Sequence, residues 1–445
     1  MTLLIISPDY ASHLYPLAAM GRSWQERGER VVVATGSATA SIVKEFGYEH
    51  LELVLGKGSN PGTIRVEEQP AGEDDLLDGF FQATRSGMVA TLMYQARARL
   101  HDLMYEPVNA ARRVLEIVRQ VEPDQILVDH LAFSARVGLH AAGIDYIDAV
   151  LGHPSALPLV EAGEVYGYPT AWPASFTPGE DELEELAELC ARVSENFTEE
   201  WNRAVVELST GIGDTRSATL VQPRLSGNAF SERGRTLVHN YPRELMSADR
   251  LQFMPESVFV GASIRDLPGS ADVDEWIQSS DAPFVYVSFG SFLSARGDVL
   301  TVVAEALRSS GVRAAIAHGS TPVSDLGTLP PDWLVAEFLP QVTLLQHAAA
   351  AVSHGGNNSV TEALAFGVPL VVLPFSTDQF AGAAALEQSN LGIVLPPNTA
   401  TSAELARAIA TALDMPVESR ELLDSLRSEQ RSGVDLYELT SEYRV

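Results

Sequence analysis

The chain has 445 residues, 46% of them hydrophobic and 20% charged, with a formal net charge of −29. That length is enough for two or three domains with sizeable cores, and the acidity would repel nucleic acid and an anionic membrane surface. The lone cysteine, Cys190, excludes an internal disulfide framework and suits a reducing cytoplasm. The opening "MTLLIISPDY" reads as a first strand, not a signal peptide, and no run of about 18 apolar residues marks a membrane span. The sequons at Asn196 and Asn357 carry no meaning without secretion.

In chain order, Thr2 to Ser7 is a strand, with a ligand-facing loop at Asp9 to His13. A helix from about Leu14 to Arg27 stops at Gly28 and leads into the strand "RVVVATG". This is a β-α-β unit. Gly56 to Asp75 reads as a long loop rich in Gly, Pro and acids. Phe80 to Met104 has helical spacing, and Phe80, Phe81 and Met88 either line a pocket for an apolar acceptor or pack in a core. The strand "PDQILVDH" ends at Asp129, a helix over 132–142 stops at Gly143, and "IDYIDAV" is another strand. The acids at Glu180 to Glu188 form a solvated helix face. "ASIRDLPGSADVDEW" reads as a linker, and its Asp272 and Asp274 are solvated acids sooner than metal ligands.

A second β-α-β series begins at "FVYVSFGS" and runs through "RAAIAHG", "LVAEFLPQ" and "AAVSHGG". The fold class is therefore α/β with two doubly wound halves. In the stretch "SHGGNNSVTEALAFGVPLVVLPFSTDQF", a buried strand ends at Ser353 and a Gly-Gly turn follows. A helix then begins near Asn358, read as its N-cap. Free N–H groups and the helix dipole converge there, which makes an anion site suited to a diphosphate. Gly356, Ser359 and His354 belong to it. Glu362, one turn further on, suits ribose hydroxyls, and Asp378 and Gln379 past the next strand suit sugar hydroxyls. Diphosphate, ribose and sugar together describe a nucleotide sugar.

The pattern "FLPQ", "LLQH", "SHGGNNSVTE", "FGVP", "LPFSTDQ" resembles the signature of family 1 glycosyltransferases, the UDP-glycosyltransferase superfamily, including its bacterial natural-product enzymes. The resemblance implies the GT-B fold, two Rossmann-like domains facing across a cleft. Residues 1–265 would bind the acceptor, 266–281 would link, 282–417 would bind the donor, and a helical tail over 418–445 would pack back on the first domain. It also implies inverting transfer with no metal and no cofactor beyond the donor co-substrate. By position, His354, Asn358 and Ser359 would contact the diphosphate, with Ser291 approaching it. Glu362 would bind the ribose, Asp378 and Gln379 the sugar, and Gln341 would sit near the base on which Phe338 stacks.

"His13-Leu-Tyr-Pro16" resembles the family's HxxP, whose histidine takes the proton from the acceptor, and Asp129 would orient it. Imidazole suits that task, since an alcohol is a weak nucleophile and needs relief of its proton. The partners implied are a UDP- or dTDP-sugar and a small-molecule acceptor. Other readings left open are a nucleotide-sugar-binding protein without turnover, a lipid-acceptor transferase and a sugar-nucleotide epimerase.

Overall fold

The computed structural model describes residues 1–56, 74–100, 103–211, 224–264, 270–432 and 434–440, without the side chains of 74–76, 210–211, 291–292 and 431–432. The loop expected over Gly56 to Asp75 lies almost wholly outside the described residues, as does the middle of the expected linker.

Strands β1 (Thr2–Ile6), β2 (Arg30–Thr35), β3 (Glu49–Glu52), β4 (Gln125–Asp129), β5 (Ile147–Val150), β6 (Thr236–His239) and β7 (Ser257–Phe259) form one sheet, in the order β3-β2-β1-β4-β5-β6-β7. Strands β8 (Phe284–Ser288), β9 (Arg313–Ala317), β10 (Leu334–Ala336), β11 (Ala350–Ser353), β12 (Leu370–Val372) and β13 (Gly392–Val394) form a second, in the order β10-β9-β8-β11-β12-β13. Neighbours in both are parallel. Parallel sheets bury both faces, and the residues alternate accordingly. Leu3 and Ile5 enter the core on one side of the first sheet and Leu4 and Ile6 the other. Val285 and Val287 oppose Phe284 and Tyr286 in the same way.

Strand order reverses between β1 and β4 in the first sheet and between β8 and β11 in the second. Beyond the carboxyl ends of the strands at such a reversal lies the crevice where open α/β sheets bind ligands. The residues following β1, β4, β8 and β11 are therefore the ones the topology offers for chemistry.

Three helical readings need correction. The first helix is Ala11–Gln25, so His13 sits in its first turn and not in a loop. Phe80 to Met104 is two helices, Asp74–Ser86 and Met88–Arg99, broken at Gly87, whose φ of 113° is open to glycine. Asp272 and Asp274 lie exposed in the first turn of the helix Ala271–Gln278, inside the stretch read as an irregular linker. The acidic run is a solvated helix face as expected, and it opens a 32-residue helix, Glu180–Gly211. Its other face buries Leu186, Leu189, Cys190, Val193, Phe197 and Trp201 at helical spacing.

Residues 434–440 return to the first lobe. Leu436 enters the core of the first sheet, Tyr437 donates to Glu29 at 3.1 Å, and Arg27 pairs with Asp435. Among the described residues no helix is long and apolar enough to cross a membrane.

Candidate active site

His13 and Asp129 meet at the first reversal. The imidazole Nδ1 lies 2.7 Å from Asp129 Oδ2, with the histidine side chain 23% exposed and the aspartate 1%. The other carboxylate oxygen, Oδ1, accepts the Leu131 main-chain N–H at 2.8 Å. An ionised carboxylate can only accept, so Nδ1 carries the proton and Nε2 presents its lone pair. Burial pulls this imidazole down, but the charge and hydrogen bond of Asp129, helped by Asp378, outweigh it and leave His13 above its ordinary value.

At the second reversal, β11 passes through His354, Gly355 and Gly356 into the helix Asn357–Ala365. Gly355 has a φ of 81°, and a Cβ there would meet Val372 Cγ1 at 2.8 Å. The N-cap is Gly356, without a side-chain cap, so Asn357 and Asn358 lie inside the helix. Asn358 is thus not the N-cap expected from the sequence, because its amide reaches across the cleft instead of back to its own backbone.

The His354 ring lies between two glycines. A Cβ on Gly356 would meet its Nε2 at 2.4 Å, and one on Gly290 its Cε1 at 3.1 Å. Burial pushes the imidazole down to about 4, opposed by its hydrogen bond with the Ser288 main chain. It is neutral at neutral pH, and its Nδ1 has no partner among the described residues. With the one ring proton given to the Ser288 main chain, Nδ1 is an acceptor that a donor group on a ligand would satisfy, while an anion at this turn would be met by the free main-chain N–H groups of the helix terminus. Gly356→Ala is a direct test. The backbone there (φ −61°, ψ 142°) admits alanine, so the methyl group's only conflict is with the His354 ring. Donor KM is expected to rise about tenfold, equivalent to ~1.4 kcal/mol. Melting temperature should stay within a few degrees.

Gln341 donates from Nε2 to Glu362 Oε2 at 2.7 Å, which joins the residue expected near the base to the one expected at the ribose. Phe338, 64% exposed, offers an open ring three residues before the helix Gln341–Leu345. Asp378 Oδ2 accepts the His153 main-chain N–H at 2.7 Å and Oδ1 the Thr377 hydroxyl at 2.9 Å. Gln379 is engaged internally: its Oε1 accepts the N–H groups of Phe375 and Ser376, and its Nε2 donates to Ser376 Oγ. It holds the loop that presents Asp378, and its amide is not turned to the cleft. The side chain of Ser291 lies outside the described residues, and Ser359 is half-buried beside Asn358.

The proposed acceptor residues do not gather at this site. Met88 is buried in the helical core, and Phe80 and Phe81 pack on the core of the second sheet. Their helix is pinned there by Arg296 donating to Thr84 Oγ1 at 3.2 Å and Asn398 donating to Thr84 O at 2.8 Å. Packing against the other lobe won over lining a pocket.

The two lobes touch directly. Asn357 Nδ2 donates to Leu151 O and Asn240 O, each at 2.8 Å, and Asn358 Nδ2 donates to Ser12 O at 2.7 Å. Only about 10 Å³ of cavity remains between His153, Tyr241, Asn357 and Asp378. A larger cavity, about 330 Å³, lies behind the helix Asn357–Ala365 among Phe259, Leu364 and Leu426, and touches none of these site residues. His153, Asn240 and Asn357 were missed from sequence. The signal available was their place just beyond β5, β6 and β11 at the carboxyl edge of a parallel sheet. No group of three or more His, Cys, Asp or Glu side chains that could hold a metal ion occurs among the described residues.

Residues 232–428 match the family described as UDP-glucoronosyl and UDP-glucosyl transferase. The chain is 23% identical to the NDP-glycosyltransferase YjiC of Bacillus subtilis (strain 168) over 430 residues, 96% of this chain and 92% of that protein. It is 26% identical to the 4'-demethylrebeccamycin synthase of Lentzea aerocolonigenes, over 93% of this chain and 92% of that one. The solved structure of the spinosyn rhamnosyltransferase SpnG with thymidine diphosphate shares the fold, with a TM-score of 0.63 at 19% identity over 99% of this chain and 100% of that one. With two parallel sheets, each reversing its strand order once, the chain has the GT-B fold of that solved structure, and the match to that transferase family takes in the whole of the second sheet.

Proposed function

We propose that the chain is an inverting glycosyltransferase moving a hexose or deoxyhexose from a UDP- or dTDP-sugar to a hydroxyl of a small molecule. The acceptor would bind to the first lobe (1–265) and the donor to the second (282–417). The observation that carries this reading is a histidine base with its proton fixed on Nδ1 by Asp129, one residue from the carbonyl that Asn358 of the glycine-turn helix grips.

In the proposed reaction His13 Nε2 takes the acceptor's hydroxyl proton as its oxygen attacks the anomeric carbon. The new C–O bond forms on the face opposite the nucleotide, and the bond from that carbon to the phosphate oxygen breaks. The electron pair leaves with the nucleoside diphosphate, so configuration inverts. Asp129 stabilises the imidazolium formed. The main-chain N–H groups of Asn357 to Ser359 would meet the leaving charge without reorganising, leaving no task that calls for a resident metal. Asp378 would grip the sugar and Glu362 the ribose. The rebeccamycin and spinosyn enzymes among the similar proteins point the acceptor toward a natural-product alcohol or phenol.

A mass-spectrometric screen of sugar nucleotides against pooled alcohols and phenols tests the reading. Product mass shifts of one sugar are expected. No product, together with no calorimetric binding of any UDP- or dTDP-sugar, would end it. The ribose contact has its own test. Glu362→Ala should weaken UDP binding ten- to a hundredfold, the scale of a charge-assisted hydrogen bond. It should cost dTDP less, since deoxyribose offers one hydroxyl where ribose offers two. Equal losses for both would remove Glu362 from the ribose.

A further inference from the structure

Ser263 N–H donates to Asn240 Oδ1 at 2.8 Å, Asn240 Nδ2 to Asn358 Oδ1 at 3.2 Å, and Asn358 Nδ2 to Ser12 O at 2.7 Å. The two asparagine amides thus run head to tail from a main-chain donor to a main-chain acceptor. The ends dictate the middle. Ser263 N–H can only donate, so Asn240 must show it oxygen. Ser12 C=O can only accept, so Asn358 must show it nitrogen. Each amide then has one permitted orientation, and the two meet donor to acceptor. Asn240 is 1% exposed, and its own carbonyl takes the Asn357 amide as well.

The acceptor at the far end exists because of Pro16. In a helix the N–H of residue 16 would bond the carbonyl of residue 12. Proline has no N–H, so it leaves Ser12 O without that partner inside the helix Ala11–Gln25. The proline that follows His13 therefore opens a bond to the opposite lobe one residue from the base.

We infer that Asn240 is a positioning residue for transfer: through Asn358 it holds the Ser12–His13 turn in register with the donor helix. The inference rests on the glycosyltransferase reading for its kinetic consequence, and on geometry alone for the coupling. Asn358 keeps a second amide hydrogen for an anion, so the relay is compatible with a bound diphosphate. Asn240 touches neither substrate nor reacting atoms. Its loss should spoil alignment of the base and leave donor affinity, and a misplacement of about 1 Å costs on the order of a hundredfold.

The experiment is a double-mutant cycle with steady-state kinetics and hydrogen–deuterium exchange. Asn240→Leu, near in size and neutral, is expected to lower kcat about a hundredfold with donor KM within threefold. In an Asn358→Ala background the same change should cost less than threefold, because the relay is already cut. Losses that multiply, or a kcat within threefold of wild type, overturn the inference. Asn240→Ala serves if the leucine variant folds poorly, with the same cycle and the same criteria. Exchange in the peptide spanning Pro8 to Tyr15 should accelerate in either variant, and unchanged exchange overturns the coupling. This readout needs no turnover. An inactive wild type would defeat the glycosyltransferase reading while exchange still decides the relay.

Discussion

Replacing His13 with alanine is expected to lower transfer about a thousandfold or more while nucleotide-sugar affinity stays within threefold. The asymmetry follows from position. His13 is carried by the first lobe, and the groups proposed for the donor are carried by the second. The imidazole has no part in holding the diphosphate, yet among the described residues it is the only basic nitrogen with its proton fixed at Nδ1 by a buried carboxylate beside the cleft. His130 Nδ1 also faces a buried carboxylate, Asp148, at 3.0 Å, but both side chains are sealed in the first lobe, 1% and 0% exposed. Alanine leaves Asp129 with one donor, the Leu131 N–H, so some stability is lost with activity. His13→Gln separates the two effects, since an amide can still donate to Asp129 but cannot take a proton. Both variants should be inactive, and the glutamine one should melt closer to wild type. Kinetics with calorimetry on the same preparations decides it: equal loss of binding and turnover would remove His13 from the base role.

What the sequence made legible here is what local physics controls. Two parallel sheets were readable because buried strands are short apolar runs punctuated by glycine, as in "AAVSHGG" and "VPLVVLPF". The glycine turn and helix terminus after β11 were readable because the requirement for a free main chain is written in residue type. His13 and Asp129 were readable as a pair only through their resemblance to a known pattern, since 116 residues separate them. Nothing local tells one strand end that it will neighbour another.

Side-chain amides were the least legible. Gln379 looked free to hold sugar and is spent on the loop of Phe375 and Ser376, while Asn358 looked like a helix cap and is spent on Ser12. Asn and Gln each carry donor and acceptor, so the partner is chosen by whatever tertiary contact brings the better-matched group. Phe80 and Phe81 failed similarly. Their helical spacing marks an apolar face, but which lobe covers it depends on Arg296 and Asn398 fixing the helix. The strand β6 that carries Asn240 was not read from the sequence, because "TLVH" is only four residues long and has no clear pattern of its own.

Asp129→Asn is expected to be more damaging than Asp129→Ala, an inversion of the usual order for a conservative change. In the native pair Oδ1 takes the Leu131 N–H and Oδ2 takes the His13 proton. Asparagine has one oxygen, and the Leu131 N–H, which can only donate, claims it. The amide NH2 is then turned to His13 Nδ1, which must become an acceptor. The ring proton moves to Nε2, and the base faces the acceptor hydroxyl with no lone pair. A fall of about a hundred- to ten-thousandfold in kcat follows. Alanine imposes no tautomer, so part of the population stays competent and the fall should be smaller. The acid limb of the rate profile adds a signed prediction. The base works unprotonated, so rate rises with pH through the His13 pKa. Burial lowers that pKa and Asp129 raises it, with the net above the ordinary imidazole value. Removing the carboxylate leaves burial dominant, so the limb should move to lower pH in both variants while the plateau drops. A limb moving to higher pH, or an asparagine variant more active than the alanine one, would show that Asp129 does not set the proton on His13.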